Sequence, residues 1–390
     1  MTRPVLRHVD HWLFAEYRAS AHDLAIARIA IAGYLLLVHL PRGRWMADLP
    51  QAFYNPPLSL AVLTDDFPPE AIVAALNIAT FAAAVLLLLG YRTHVASVTT
   101  TLALIALNSM VFATGKIDHN ILVVLAPAVM AASGWGDAWS VDAALGRVRH
   151  LEPGRPQPRW PLAWLALIIA IAIATAGLIK ADTGWLSLSA SSSYGHAMAN
   201  TMLRARQTWL GSLLLEMPSN PIWEFTDWAT VTLELAGLVA VWRAHWFRAW
   251  CVMLAAFHLA VALQMDLLFE HNLTVYALFV PWAAVIAPIR RRLPAIGRES
   301  AAIVVSVVLL LLMARAAMAW AADAASFVSW LSQAIRNAIV FGAVPLAVWA
   351  WIASRKCTTQ SCDPSNEALP DDDRRADVGA GTVASRFGSR

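Results

Sequence analysis

The sequence is short of charge. Asp, Glu, Lys and Arg make up 14% of its 390 residues and apolar types 59%, whereas a soluble domain carries about 25% charged residues. So few charged groups cannot cover a water-facing surface, which excludes an ordinary soluble domain and a disordered chain alike. Cysteine is scarce too. Cys251, Cys357 and Cys362 form neither a disulfide framework nor a metal-finger spacing, and Cys251 falls in an apolar segment, as a core residue would. The first twenty residues hold no apolar core of the kind a cleavable signal peptide needs. No basic cluster with interleaved aromatics points to nucleic acid. There is no Gly-rich loop for a nucleotide phosphate and no Gly-x-Ser-x-Gly elbow for serine hydrolysis.

What the chain has in quantity is long apolar runs. Ten are read, at about 23–41, 70–90, 94–113, 118–134, 160–180, 223–242, 246–265, 272–289, 301–321 and 337–353. Each approaches the ~20 residues that cross a ~30 Å hydrocarbon core as a helix. The runs are continuous rather than alternating, so a β-barrel is excluded. The expected fold is therefore all-α, a polytopic transmembrane helix bundle of about ten spans. The short fourth, eighth and tenth runs allow eight or nine. The 18 Trp suit the two membrane–water interfaces. With the N-terminus inside, ten spans put sixteen Lys and Arg between Arg3 and Lys356 on cytoplasmic loops. Seven lie outside: Arg42, Arg44, Lys116, Lys180, Arg204, Arg206 and Arg336. That bias predicts both termini in the cytoplasm of a multi-pass plasma-membrane protein.

The division expected from this pattern is a cytoplasmic segment 1–22 and a transmembrane domain 23–290 with an outer loop 181–222. Two further transmembrane helices, 291–356, and a disordered cytoplasmic tail 357–390 follow. Within the outer loop, His196 to Met217 sets Met198, Met202, Trp209, Leu213 and Leu214 against Arg204 and Arg206, which predicts one interfacial amphipathic helix. No internal repeat is visible, which argues against an inverted-repeat transporter.

Ionisable groups are costly in hydrocarbon and face the bundle interior. Four fall inside spans: Arg28, Glu234, His258 and Arg315. At ~1.5 Å per residue, Arg28 lies about 7–8 Å and Glu234 about 12 Å from the inner surface, so the two are expected to form a structural intramembrane pair. At the outer ends of spans stand Asp118, His119, Lys180, Asp182, Asp266, Glu270 and His271. Lys180 reads either as a lysine snorkelling to the interface or as a desolvated amine serving as a base. His119 reads either as a hydrogen-bonded interface residue or as its assistant. Topology sends Lys180, His119 and His258 to one outer layer from three different spans, and a base, a second polar group and an apolar wall are what proton abstraction needs. Asp266 and Glu270 straddle a helix end and no two histidines share helical spacing within a span, so no metal is expected.

In order and spacing, a further set of residues resembles the vitamin K-dependent gamma-carboxylase family and its wider HTTM (horizontally transferred transmembrane) domain group. These are Asp23-Leu-Ala-Ile-Ala-Arg28, Leu89-Gly-Tyr-Arg92, Lys116-Ile-Asp-His119-Asn120, Trp139-Ser-Val-Asp142, Gly177-Leu-Ile-Lys180-Ala-Asp182-Thr-Gly-Trp185, Glu234-Leu-Ala-Gly and Phe257-His258. The resemblance covers roughly 20–290. It implies a carbon–carbon lyase in which a lysine, at the position of Lys180, deprotonates a reduced quinone (vitamin K hydroquinone or menaquinol). Oxygen and carbon dioxide would be co-substrates, and an extracytoplasmic protein glutamate would be carboxylated. It implies assisting roles for His119 and His258. The chain departs from the animal enzymes in having one lysine where they have two in a row, and two apolar segments where they continue into a luminal domain. Quinone oxidation without carboxylation, and a non-catalytic membrane component that assists a partner protein, therefore stand beside the carboxylase reading.

Overall fold

The structure is a computed structural model that describes residues 3–40, 43–57, 59–115, 119–148, 156–189, 191–206, 208–218, 221–290 and 325–359. It is a helical bundle. In chain order the α-helices are α1 (Arg3–His11), α2 (Ala21–Tyr34), α3 (Glu70–Leu89), α4 (Thr93–Val111), α5 (Ile121–Met130), α6 (Val141–Ala144), α7 (Trp160–Asp182), α8 (Ser192–Arg204), α9 (Trp209–Leu215), α10 (Ile222–Ala240), α11 (Ala244–Met265), α12 (Glu270–Tyr276), α13 (Trp282–Arg290) and α14 (Ala325–Thr359). Among the described residues the one sheet is a two-residue antiparallel ladder, Arg18–Ala19 against Gln157–Pro158.

Among the described residues, six helices are long and apolar enough to cross a membrane: Ala21–His39, Glu70–Leu89, Thr93–Thr114, Trp160–Asp182, Ala244–Met265 and Ser329–Ala350. These fall on six of the ten apolar runs. The others differ for identifiable reasons. The fourth run is a ten-residue helix with Pro127 inside it. The sixth, α10, has the length but carries Glu224, Asp227 and Glu234. The eighth is broken into α12, a 3-10 turn at Ala277–Phe279 and α13. Pro281 follows that turn, and a proline cannot continue the hydrogen-bond ladder. The ninth run, with Arg315, lies outside the described residues, as do Lys116, Asp118 and 360–390. The tenth is longer than expected and reaches Thr359, so the tail 357–390 begins within a helix.

The end of the bundle where α2, α4, α7 and α11 begin is held by buried polar groups. Arg28 of α2 is fully buried. Its Nη1 donates to the carbonyls of Leu87 and Leu88, 2.7 Å each, at the last turn of α3. Nε donates to Trp135 O at 3.1 Å and Nη2 to Trp139 O at 2.6 Å. The expected pairing of Arg28 with Glu234 is therefore corrected. The guanidinium is met by carbonyls that a helix C-terminus and a turn leave unpaired, where the helix dipole also favours a cation. Gly90 ends α3 at φ 66°, and a Cβ there would collide with Ser140 and with Arg28 Nη1, so the position needs glycine on both counts.

Two aspartates cap helices beside this cluster. Asp23 forms a reciprocal capping box with Ser20 at the start of α2, and its Oδ1 also accepts from Ala283 N at 2.7 Å. Asp142 caps α4 from a distance in sequence, accepting from Arg92 N, Thr93 N and Thr93 Oγ1 at 2.7–2.9 Å. Burial pushes the Asp142 carboxyl up, but the Thr93 and Arg92 hydrogen bonds and the Arg147 charge outweigh it, and the carboxyl titrates below the usual range.

Two outcomes follow. Replacing Arg28 by Met should cost about 3 kcal/mol, because four carbonyls, two buried and two part-buried, lose their donor, read as a fall in the thermal midpoint in detergent. Asp142 has a lowered folded pKa, so its stabilisation is present above the unfolded carboxylate pKa of about 4 and is lost as pH falls below that. Acid should lower the midpoint of the parent protein more than that of Asp142→Asn.

Candidate active site

The most apolar candidate span, α7, carries its charged residues in its last turn, Lys180 and Asp182. Antiparallel to it runs α10, and Lys180 Nζ forms a hydrogen-bonded ion pair with Glu234 Oε1. The Glu234 side chain is 9% exposed and that of Lys180 24%. Gly177, one turn before Lys180, lets the two backbones approach, because a Cβ there would lie 2.9 Å from Glu234 Cβ. A glycine on one helix thus leaves room for the lysine–glutamate pair between the two.

A second feature closes over the lysine. The chain turns after α7 through Gly184 and brings the Trp185 ring to 5.4 Å from Nζ, a cation–π distance. Trp185 in turn lies against His196 of α8, ring centroids 5.3 Å apart.

His258 is buried in α11. Its ring stacks on Phe269 at 4.7 Å and on Tyr276 at 6.0 Å, and its Nε2 lies 3.3 Å from the Tyr276 hydroxyl. His119, exposed just ahead of α5, also lies against Phe269, with ring centroids 5.7 Å apart. Phe269 therefore contacts both histidines. Lys180, His119 and His271 are all within electrostatic reach of His258, and Glu234 is within reach of Tyr276. The three residues singled out in the sequence thus gather at one end of the bundle. Glu234, expected on Arg28, gathers with them instead.

Beside this layer, Glu270 is buried at the start of α12. Tyr34 Oη lies 3.4 Å from its Oε1 and Arg336 Nε of α14 3.5 Å. Sequence reasoning missed Glu234 as the lysine's partner, gave Trp185 no role beyond its place in a motif, and missed Phe269 and Tyr276 altogether. The available signal for Glu234 was Gly177, a small residue on the Lys180 face of its helix.

The geometry allows a definite piece of chemistry. In contact with Glu234, Lys180 exists as an ammonium, or, after one proton moves from Nζ to Oε1, as an amine with a free lone pair. Glu234 Oε2 and His258 Nδ1 are buried and have no hydrogen-bond partner among the described residues. Both can meet a polar group brought in from outside. Among the described residues no three His, Cys, Asp or Glu side chains form a group that would hold a metal ion.

A model of the HTTM domain family matches residues 17–279. No curated protein and no solved structure matches the chain significantly. The matched stretch contains Lys180, Glu234, His119, His258, Phe269 and Tyr276, whereas α13 and α14 lie beyond it.

If the Lys180–Glu234 pair is a single unit, Lys180→Met should cost about 3 kcal/mol, because it strands a buried carboxylate. Adding Glu234→Leu should recover most of that loss. Thermal midpoints of the two variants in detergent check this, and equal losses in both would show that the groups do not depend on each other.

Proposed function

The chain belongs to the HTTM domain family, and on that premise we propose that it is a quinol-dependent membrane enzyme of the gamma-carboxylase type, with Lys180 as the base. The single observation that carries this reading is the Lys180–Glu234 pair set beside the His258–Phe269–His119 wall. A lone interfacial lysine needs no carboxylate beneath it, no tryptophan above it and no histidine layer next to it.

The residues suit a reduced quinone. Phe269, Tyr276 and Trp185 supply aromatic faces for a flat ring, and Glu234 Oε2 and His258 Nδ1 supply buried polar atoms for hydroxyl groups. With oxygen, a bound quinol would supply a base strong enough to take the γ-hydrogen of a protein glutamate, so that carbon dioxide can add. The chain's own residues have simpler tasks. Glu234 takes the proton from Lys180 Nζ, and the freed amine accepts one from a hydroxyl. His258 holds its ring edge towards the same point through the Tyr276 hydroxyl, and His119 and Phe269 narrow access from water, which strengthens every charge interaction inside.

In this reading the chain crosses the plasma membrane ten times, with both termini in the cytoplasm and Lys180 on the extracytoplasmic side. The Lys and Arg distribution supports that orientation. The protein substrate is then an extracytoplasmic Glu-containing chain.

A second reading has its own observation. An ion pair that ties α7 to α10 also suits a purely structural pin in a non-catalytic component. One experiment separates the readings. The purified protein in lipid, given a reduced quinone, oxygen and labelled bicarbonate, should transfer label to a Glu-containing peptide. Lys180→Ala should reduce transfer by at least about a hundredfold, the scale of a lost general base. Transfer unchanged in Lys180→Ala would sink the assignment. Quinone epoxide without label would leave an oxidising enzyme that does not carboxylate, and neither product would favour the structural pin.

A further inference from the structure

The segment between α7 and α10 was expected to be one amphipathic helix. It is instead two, α8 and α9, separated by Ala205 in the left-handed conformation at φ 49°. The break has a consequence for the surface. Residues on α8 that point into the bundle, Ser193, Ala197 and Asn200, are buried. The chain around the break turns the other way, with Met202 73%, Leu203 82% and Trp209 74% exposed. Arg204 and Arg206 stand between these apolar residues and are exposed too.

The segment is firmly seated underneath. Ser192 N and Ser193 N donate to the buried Asp227 carboxylate of α10 at 2.8 Å. Thr208 Oγ1 donates to Leu263 O at 2.6 Å in the last turn of α11, and Arg206 Nη1 reaches Asp266 O. The outward apolar face is therefore not a loose loop on its way to another fold position. It is fixed to two packed helices, α10 and the end of α11. The last turns of α7 also present exposed apolar residues, Leu178 and Ile179, at that level.

We propose that α8 and α9 form an interfacial arm whose outward face lies in the headgroup layer of the bilayer on the Lys180 side, with Arg204 and Arg206 binding the phosphates of anionic phospholipids. Large apolar side chains exposed in a group mark a contact surface, and Trp beside Arg at the end of a membrane span suits the interface. Guanidinium forks fit phosphate oxygens in pairs. Arg204 spends one donor on Asn200 and Arg206 one on Asp266 O, which leaves most of each fork for a ligand. Because α8 also carries His196 onto Trp185, the arm links the lipid surface to the cover over Lys180. The proposal does not depend on any chemistry at that lysine.

The test uses the full chain in lipid nanodiscs with Cys357→Ser and Cys362→Ser. A nitroxide is placed at Leu203→Cys or, as a control in the polar stretch before α3, at Asp65→Cys. The Leu203 label should be at least about fivefold less accessible than the control to a water-soluble nickel chelate and more accessible to oxygen. Phosphatidylglycerol added to phosphatidylcholine discs should strengthen that protection. Arg204→Gln with Arg206→Gln should weaken the apparent phosphatidylglycerol affinity by about tenfold. Equal nickel access at the two labels would overturn the arm. Protection that ignores phosphatidylglycerol or the double substitution would overturn the anionic-lipid assignment. Protection gained only on adding a soluble acidic peptide would assign the face to a protein partner and overturn the proposal as well.

Discussion

An ionisable side chain carried into an apolar helix bundle must be met by polar atoms, or the helices cannot pack around it. This chain meets that constraint in two different ways at its two ends. Arg28 is satisfied by backbone, four carbonyls from the end of α3 and the turn that follows α5. Lys180 is satisfied by a side chain, Glu234. The difference has consequences. Carbonyls cannot accept a proton at any ordinary pH, so the Arg28 cluster can only hold the chain in place. A carboxylate can accept one, so the Lys180 cluster can change its charge state without moving an atom of the backbone.

The rest of the architecture follows that division. At the Arg28 end, Asp23 and Asp142 cap helices, Gly90 admits the guanidinium, and Trp135 is pinned by its indole N–H to Ser97. Nearly every polar atom there is spent on another part of the chain. At the Lys180 end, polar groups are spread over separate helices with an aromatic wall between them, and Glu234 and His258 keep atoms in reserve. One end is closed by its own polar contacts, and the other keeps buried polar atoms unspent among the described residues.

Much of this was legible in the sequence, and the failures have a common cause. Long apolar runs place helices along the chain, so the six candidate spans among the described residues fall where the runs are. That Lys180, His119 and His258 share one end of the bundle follows from the alternating direction of their spans. The pairing of Arg28 with Glu234 failed because depth counted along each helix says nothing about which helices are neighbours. It also assumes that every span ends at the same plane. Lys180 in the last turn of α7 pairs with Glu234 in the middle of α10, so α10 continues past the end of α7, and that offset brings Glu234 level with Lys180 rather than with Arg28. The single interfacial helix failed for a local reason. An apolar–basic pattern scores the same whether or not one residue turns left-handed, and Ala205 has no feature that announces the turn.

The stretch beyond the matched domain bears on the site as well. α14 lies outside residues 17–279, yet Ser332 donates to Leu37 O, and Arg336 reaches the buried Glu270 next to Phe269. Glu270 begins α12, the short helix that carries His271 and Tyr276, so a cation from α14 faces the helix that supports His258. A buried carboxylate without a cation would pull that helix end towards water. The added helix therefore helps to keep Phe269 and Tyr276 stacked on the histidine, and the aromatic wall depends on residues outside the family domain as well as within it.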